Sequence, residues 1–362
     1  MSNSIGKSVV LTLFGESHGP YIGVVIDGLS CGIKVDDEFI KSQLSKRRPS
    51  LNIETTRVEK DHYEIVSGVL NGYTTGMPLC IIIPNENVRS GDYDVNQGLA
   101  RPSHADYVAH VKYDGFEDYR GGGHFSGRLT AAIVAAGAIC LDALKKKNIL
   151  IGTHILRIGS TFDKEFNDIE NEIKLVNEKD FPVISDCHKA MTDEIFKVKM
   201  DNDSIGGIIQ TAICNLPIGL GEPWFDSIEG VISNALFSIG GIKGIEFGAG
   251  FKFADLVGST ANDAFTYKDG KVVTKTNNSG GVNGGITNGM PVVFNCVVKP
   301  TPSISKQQDT IDFINEQNAT LEIVGRHDPA IIRRICIVVN SLLAVVVCDL
   351  LTQAYGKDYL KY

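Results

Sequence analysis

The sequence predicts an α+β fold in which helices and antiparallel strands form a single domain, residues 1–362. Three observations support this. Short segments rich in β-branched residues lie on both sides of a glycine-containing loop near the start of the chain, which is typical of strands. A long segment further on is apolar on nearly every side, which is typical of a central helix. No Pro/Ser-rich linker divides the chain.

The elements are predicted in order along the chain. Residues 8–13 and 22–27 are predicted as strands on either side of the loop FGESHG. In KVDDEFIKSQLSKRR, apolar residues at helical spacing follow an acidic start, and Pro49 ends the helix, so Arg47 and Arg48 are expected at its carboxyl end. The segment GRLTAAIVAAGAICLDALKKK is predicted as the central helix, and residues 149–199 as peripheral helix and connection.

Two further patterns concern the second half of the chain. ICIVVNSLLAVVVCDLL is apolar but contains an Asn-Ser pair and falls short of the ~20 residues of a membrane span, so a buried core helix is predicted. GVVIDGLSCGI (23–33) and GIIQTAICNLPIGL (207–220) are both strand-like, end in a glycine-containing turn and precede a helical pattern. An internal duplication would explain this weak match, and so would chance.

Composition excludes several classes of protein. The formal net charge of −8 argues against nucleic-acid binding, which needs a basic face. The amino-terminal residues lack a cationic region followed by a long apolar segment, so no secretory signal is expected. The eight cysteines form no CxxC motif, and we expect reduced, mostly core thiols in a cytoplasmic protein. No Cys/His spacing resembles a zinc site, and we expect neither a metal nor a membrane partner.

Histidine and arginine are concentrated in a few loops. Four of the eight histidines lie in FGESHG, RPSHADY, RGGGHFSGR and GRHDP, and these loops also hold Arg101, Arg120, Arg128 and Arg326. One loop histidine is more often structural than catalytic, but four similar settings favour proton transfer near neutral pH. The planar guanidinium matches carboxylate and phosphate, which indicates an oxyanion-rich ligand, although surface ion pairs are the alternative for any single arginine.

Glycine-rich stretches complete the pattern. RGGGHFSG runs directly into the predicted central helix, and NNSGGVNGGITNGMP would let backbone approach a flat or anionic group. Neither stretch fits GxxxxGK[ST] or a strand-anchored GxGxxG, so a standard ATP or NAD cradle is not supported. The residues alone therefore predict an acid/base enzyme that acts on a multiply anionic small molecule.

Taken together and in order, FGESHG, RPSHADY, DYRGGGHFSGRLTAA, NGGITNG, KPTPSIS and GRHDP resemble the chorismate synthase family, from residue 5 to about 350. The resemblance implies a β-α-β sandwich with long central helices between antiparallel sheets, and a cytoplasmic homotetramer. It implies a lyase that eliminates phosphate from 5-enolpyruvylshikimate-3-phosphate in a 1,4-anti sense to give chorismate. It also implies FMN, which must be reduced (FMNH2) although no net redox change occurs.

The resemblance implies roles for five residues in catalysis. His104 would protonate departing or reduced species near flavin and substrate. His18, with Ser17 adjacent, would hold the charge state of the reduced flavin. Asp328 would assist proton removal from the substrate by way of flavin N5, and Ser126 would support that relay.

The resemblance also implies two sets of contacts. The substrate contacts are Arg47, Arg48, Arg101, Arg128 and Arg326. The flavin contacts are His124, Phe125, Ser126, Gly240, Gly241, Gly284, Lys299, Pro300, Thr301, Pro302, Ser303 and Arg326.

The chain departs from the family pattern at three places. His124 and Phe125 stand where many relatives have Arg-Ser, so the local flavin contact must differ. Ile53 stands where a second arginine is common, and Arg57 is the nearest substitute. Lys46 occupies the first position of the usual arginine triplet and keeps the charge without the planar fork.

Two alternatives to this function remain from the sequence. The first is a regulatory or scaffold protein that binds a nucleotide or another polyanion without chemistry, which would not need histidines in both FGESHG and RPSHADY. The second is a bifunctional enzyme that also reduces its own flavin with NADPH (NADP), for which no nicotinamide-binding feature is present in the sequence.

Overall fold

Two five-stranded antiparallel sheets form the outer layers of the structure, and long helices lie between them. The computed structural model describes residues 3–51, 53–54, 60–86, 98–323 and 328–361. The strands within these ranges are β1 Ser4–Ile5, β2 Val10–Gly15, β3 Tyr21–Asp27, β4 Glu64–Ser67, β5 Val69–Leu70, β6 Tyr73–Thr74, β7 Leu79–Pro84, β8 Leu150–Ile158, β9 Thr161–Phe162, β10 Gly207–Cys214, β11 Ile242–Phe247, β12 Phe265–Lys268, β13 Lys271–Thr274, β14 Val282–Asn283, β15 Ile286–Thr287, β16 Val292–Val298, β17 Gln308–Asp312 and β18 Gln317–Leu321.

The α-helices are α1 Asp37–Arg47, α2 Asp106–Lys112, α3 Thr130–Lys146, α4 Ile169–Glu178, α5 His188–Met200, α6 Ile228–Leu236, α7 Gly258–Ala261 and α8 Ile332–Tyr355. Short 3₁₀ helices cover Arg120–Phe125, Gly127–Leu129, Trp224–Asp226, Gly250–Asp255 and Lys357–Leu360. The order in the first sheet is β1-β2-β3-β7-β4, and the order in the second is β11-β16-β10-β8-β9.

The helical layer consists mainly of α3 and α8, which pack on each other and contact both sheets between them. The helices cross closely because Gly137 has no side chain: a Cβ there would lie 2.4 Å from the carbonyl oxygen of Ser341. Two segments, Gly127–Lys146 (which includes α3) and α8, are long and apolar enough to cross a membrane, but both are mostly buried in the structure and α8 almost wholly so. The prediction of a buried core helix is therefore confirmed, and Asn340 within it accepts a hydrogen bond from Thr153 at 2.6 Å.

The predictions for residues 8–147 are confirmed within a few residues, including Arg47 as the last residue of α1. The assignment of residues 149–199 to peripheral helix and connection is wrong in its first part, because residues 150–158 form β8, a buried strand of the second sheet. Thr153 and His154 interrupt the apolar pattern of this strand. Both are buried and hydrogen-bonded, His154 to Asp163 and Gln210, so polarity in the sequence did not mean exposure.

The two halves repeat one topology. Strands β2-β3-β7-β4 of the first sheet and β8-β10-β16-β11 of the second follow the same order in space and along the chain. In each half a helix follows the central strand, α1 or α6, and a long helix closes the unit, α3 or α8. This correspondence agrees with an internal duplication, which stays a prediction. The segments at 23–33 and 207–220 include most of β3 and all of β10. The cysteines are all free thiols, and five of the eight are buried, as predicted.

Candidate active site

The opening loop FGESHG packs against the glycine triplet Gly121–Gly123. The backbone N–H of Ser17 donates to the carbonyl of Gly123 at 3.1 Å, and Ser17 Oγ lies 3.2 Å from Nδ1 of His18. A Cβ at Gly121 would lie 2.1 Å from Cε1 of His18, and this glycine has a φ of +60°. Only glycine satisfies both conditions, so the triplet fixes the position of a histidine that is 7% exposed.

A second imidazole lies on the same triplet. A Cβ at Gly122 would be 3.2 Å from Cε1 of His104. The carboxylate of Asp106, the first residue of α2, lies 2.8 Å from Nδ1 of His104 and accepts from Nε and Nη2 of Arg101 at 2.7 and 2.6 Å. Burial alone would raise the pKa of Asp106, but the hydrogen bonds from Arg101 and His104 outweigh burial and hold that pKa well below its usual range.

Three arginines, at the end of α1 and just before α3, lie around one buried carboxylate. Asp61 is fully buried and pairs directly with Nη1 of Arg128, while Nη1 of Arg47 and Nε of Arg48 lie 3.8 and 3.7 Å from its Oδ2. Among the described residues, Nε of Arg48 has no hydrogen-bond partner. Three guanidinium charges against one carboxylate leave an excess of positive charge, which a bound anion would neutralise.

A second buried pair holds the end of α1 in place. Arg333, in the first turn of α8, forms a two-pronged contact with Glu54 at 2.6 and 2.9 Å. Its guanidinium also donates to the carbonyls of Lys46 and Arg48 at 3.1 and 2.6 Å. The backbone that carries Arg47 and Arg48 is thereby fixed by a residue far along the chain.

The KPTPSIS segment contacts Asp328 and RPSHADY at the far side of the site. Thr301 Oγ1 donates to the carbonyl of Asp328 at 2.5 Å, and the Asp328 carboxylate forms an ion pair with Arg334. Lys299 donates from Nζ to the carbonyl of Ser103 at 2.8 Å. Burial lowers the pKa of Arg334, and the negative charges of Glu54 and Asp61 oppose that shift.

Asn85 closes the network on the remaining side. Its Nδ2 donates to the carbonyls of Glu16 and Gly19 at 3.0 and 2.8 Å, while its Oδ1 accepts from Nε of Arg128 at 3.1 Å. The opening loop, the glycine triplet, RPSHADY, KPTPSIS, Asp328 and the arginine cluster are therefore joined by one continuous set of contacts. Two imidazoles, several guanidinium groups and flexible glycine backbone occupy this single region.

The comparison with known proteins agrees with this arrangement. The family model described as chorismate synthase matches residues 9–352. The chain belongs to the chorismate synthase family. A chorismate synthase of Pyrococcus abyssi is 44% identical over 344 residues, covering 95% of this chain and 96% of that protein. A chorismate synthase of Dehalococcoides mccartyi is 42% identical over 357 residues, covering 98% of each.

The fold agrees with that of the family as well. A crystal structure of a chorismate synthase superimposes with a TM-score of 0.77 at 28% identity, covering 98% of this chain and 95% of that one. The predicted β-α-β sandwich with central helices is therefore confirmed. Chorismate synthases are carbon–oxygen lyases of the shikimate pathway, which leads to the aromatic amino acids, and the family uses reduced flavin.

Some residues expected from the family resemblance lie elsewhere. Gly284 is in the turn between β14 and β15, at the end of β16 opposite Lys299, and the seven residues of that strand span roughly 20 Å. The structure therefore does not bring Gly284 near Gly241, whose carbonyl accepts from the backbone N–H of Lys299 at 2.8 Å. Arg57, Arg326 and His327 lie outside the described residues.

The residues that depart from the family pattern have local partners. Nδ1 of His124 lies 2.8 Å from the carbonyl of Gly15, and Phe125 is 46% exposed. Ile53 is buried in the hydrophobic core. Lys46 turns from the arginine cluster towards the carbonyl of Asn177, at the end of α4, and burial lowers its pKa. Ser126 Oγ accepts from the backbone N–H of Arg128 at 3.3 Å and so caps the turn before α3.

Six residues of the network were not predicted: Glu54, Asp61, Asn85, Asp106, Arg333 and Arg334. Asp106 could have been found, because it follows a candidate histidine by two positions within RPSHADY. Asp61 and Asn85 carry no local signal, since an isolated Asp or Asn in a loop is usually solvated. A separate cavity of about 420 Å³, between the amino-terminal strand and α8, contains none of the predicted site residues.

Proposed function

We propose that this chain converts 5-enolpyruvylshikimate-3-phosphate to chorismate by 1,4-anti elimination of phosphate, with reduced FMN and without net redox change. The observation that carries the proposal is the excess of guanidinium groups on buried Asp61 within the same contact network as His18 and His104. In a member of this family, that combination suits a substrate with two carboxylates and a phosphate.

Substrate binding is assigned to four arginines of this network, Arg47, Arg48, Arg101 and Arg128. The family resemblance adds Arg326, which lies outside the described residues. In the reaction the bond from carbon to the phosphate oxygen breaks, and its electron pair leaves with the phosphate. A C–H bond also breaks and its proton passes to an acceptor. The C–H electrons form one double bond, and the π electrons of the double bond already present shift by one position to form the second at the carbon that loses phosphate. Because the departing phosphate gains negative charge, guanidinium groups aimed at it stabilise the transition state more than the bound substrate.

Proton handling is assigned to His104 and His18, with Ser17 beside the latter. His104 would protonate departing species, and its ring is held by Asp106 at 2.8 Å. His18 lies against Gly121, where it would face an anionic group bound on the triplet. Asp328 would serve as a carboxylate that assists proton removal, and it forms an ion pair with Arg334.

The residues present fit a flat cofactor that carries a phosphate. Three consecutive glycines with positive φ leave the backbone of residues 121–123 without side chains, and a Cβ at Gly240 would meet no atom within 4 Å. Lys243 and Lys299 follow the paired residues Ile242 and Val298, so two cationic groups lie close together here. Burial, and next the charge of Lys243, lower the pKa of Lys299. When bound, reduced FMN would supply the electron-rich ring on which the elimination depends. The residues proposed to hold it are His124–Ser126, Gly240, Gly241, Lys299–Ser303 and Arg326, without Gly284, which lies at the other end of β16.

The assembly is proposed to be a cytoplasmic homotetramer that functions without a nucleic acid or membrane partner. Large aromatic side chains that protrude from one chain support association between copies: Trp224, Phe225 and Phe251 are 85%, 95% and 85% exposed. Sedimentation or mass photometry of the purified chain tests this directly, and a monomer at micromolar concentration would contradict it.

The function is tested by an anaerobic assay with 5-enolpyruvylshikimate-3-phosphate and chemically reduced FMN. We expect release of inorganic phosphate together with chorismate, and no turnover with oxidised FMN. Folded protein that binds the substrate but releases no phosphate would instead identify an anion-binding protein. A second assay, in air with oxidised FMN and NADPH, distinguishes an enzyme that reduces its own flavin from one that needs an external reductant.

A further inference from the structure

We propose that Asp106 is a positioning residue: its carboxylate holds the proton of neutral His104 on Nδ1 and leaves Nε2 as the nitrogen that exchanges a proton with bound ligand. This rests on the proposed function only for what His104 does to the ligand. The protonation pattern itself is a property of the ligand-free chain and is tested separately.

The hydrogen bond determines which ring nitrogen carries the proton. Oδ1 of Asp106 lies 2.8 Å from Nδ1 of His104. An ionised carboxylate can only accept, so Nδ1 must donate. The carboxylate is ionised at neutral pH because the hydrogen bonds from Arg101 and His104 keep the pKa of Asp106 far below its usual range, in spite of burial. In the neutral ring the second nitrogen, Nε2, is then without a proton.

The ring is oriented so that Nε2 lies along the glycine triplet. A Cβ at Gly122 would be 3.5 Å from Nε2 and 3.2 Å from Cε1, and glycine leaves that space free of side chain. Among the described residues, the hydrogen bond of the His104 side chain is made by Nδ1 alone. The edge of the imidazole that can exchange a proton therefore faces the part of the site built to accept a flat or anionic ligand.

The Asp106 carboxylate also stabilises the RPSHADY loop, which carries both the His104 imidazole and the Arg101 guanidinium. Asp106 accepts from the backbone N–H of Arg101 at 3.0 Å, in addition to its two bonds to that guanidinium. Within the loop Ser103 has a φ of +60°, which is uncommon for a residue with a side chain, and Lys299 binds the Ser103 carbonyl. One aspartate thus sets the positions of an imidazole and a guanidinium together, as a shared orienting group.

Nitrogen-15 NMR of histidine-labelled, ligand-free protein tests the protonation pattern. Spectra are recorded at alkaline pH, where free imidazole is neutral, and a His104→Gln variant assigns the signal. We expect wild-type His104 to carry its proton on Nδ1. Asp106→Asn should move the signal towards the form protonated on Nε2, because an amide can also donate to Nδ1.

The matched control is Glu117→Gln. Glu117 lies 3.1 Å from Nδ1 of His110, so the chain contains a second histidine–carboxylate pair outside the contact network. This substitution should leave the His104 signal unchanged. A wild-type His104 protonated on Nε2, or a pattern unaltered in Asp106→Asn, would overturn the inference. The wild-type measurement decides the question even if Asp106→Asn does not fold.

Activity gives the second readout. Asp106→Asn should release phosphate about 10²- to 10³-fold more slowly at saturating substrate, the range expected when a proton-transfer group is disabled. A variant with wild-type kcat would contradict the positioning role. If the wild-type chain releases no phosphate at all, the proposed function fails, whereas the NMR pattern still decides the role of Asp106.

Discussion

Replacing Arg333 with methionine should lower both the stability of the fold and the affinity for substrate. The Arg333 and Glu54 side chains are 3% and 2% exposed, so removal of the guanidinium leaves a carboxylate buried without its partner. Loss of one member of a buried pair costs about 3–5 kcal/mol in free energy of unfolding. The carbonyls of Lys46 and Arg48 lose a donor in the same step, which frees the segment that carries the arginines of the Asp61 cluster. We therefore also expect KM for the substrate to rise by at least about tenfold, or 1.4 kcal/mol.

Urea denaturation followed by circular dichroism measures the first effect, and the anaerobic phosphate-release assay measures the second. Lys41→Ala, which breaks an exposed contact with Asp37 and Glu38 on α1, is the control and should change the free energy of unfolding by less than about 1 kcal/mol. The double variant Arg333→Met/Glu54→Gln removes both charges and should recover part of the loss. If the free energy of unfolding of Arg333→Met lies within about 1 kcal/mol of the wild-type value, the reasoning about the buried pair is wrong.

Three further predictions concern the site and the second sheet. Gly121→Ala should displace His18 and reduce turnover by at least about 10²-fold. The control is Gly127→Ala, which should leave turnover unchanged because a Cβ at that position meets no atom within 4 Å. Equal effects of the two substitutions would contradict the role of the triplet. Arg128→Ala should lose turnover by orders of magnitude while circular dichroism reports a folded protein, and unchanged turnover would identify a purely structural ion pair. Burial alone would raise the pKa of Asp163, but hydrogen bonds from His154, Ser185 and nearby backbone hold it well below its usual range. The ionised Asp163 carboxylate therefore contributes its full stability above about pH 5 and loses it as the pH falls below about 4. The difference in free energy of unfolding between wild type and Asp163→Asn should shrink from about pH 6 to about pH 3. A difference that stays constant over this range would refute the assignment.

Periodicity and residue type were sufficient to predict the central layer of the fold. The α3 segment is apolar on nearly all sides because both sheets and α8 cover it, and a helix with that pattern is stable in water only when it is covered on every side. Strand β8 was missed because Thr153 and His154 lie inside it, and the partners that satisfy them, such as Asp163 and Asn340, lie outside the strand. The pattern of polar and apolar residues along a segment cannot predict that a polar side chain is buried when its hydrogen-bond partners come from other parts of the chain.

The site was predictable to the extent that its chemistry is concentrated in short motifs. His18, His104 and Arg128 stand in glycine-rich or charged loops, and the structure brings those loops together. Asp61 and the pair formed by Glu54 and Arg333 were not predictable, since Arg333 lies 279 positions from its partner. These residues stabilise the site through buried contacts with residues far away in the sequence, and neither composition nor local spacing predicts such contacts.

The most direct test of the central claim is the stoichiometry of an anaerobic reaction with reduced FMN. If the arginine cluster and the two imidazoles perform a redox-neutral elimination, each molecule of 5-enolpyruvylshikimate-3-phosphate should yield one phosphate and one chorismate, and the flavin should remain reduced after many turnovers. Phosphate release that consumes reduced flavin in equal amount, or no release by folded wild-type protein, would contradict the account.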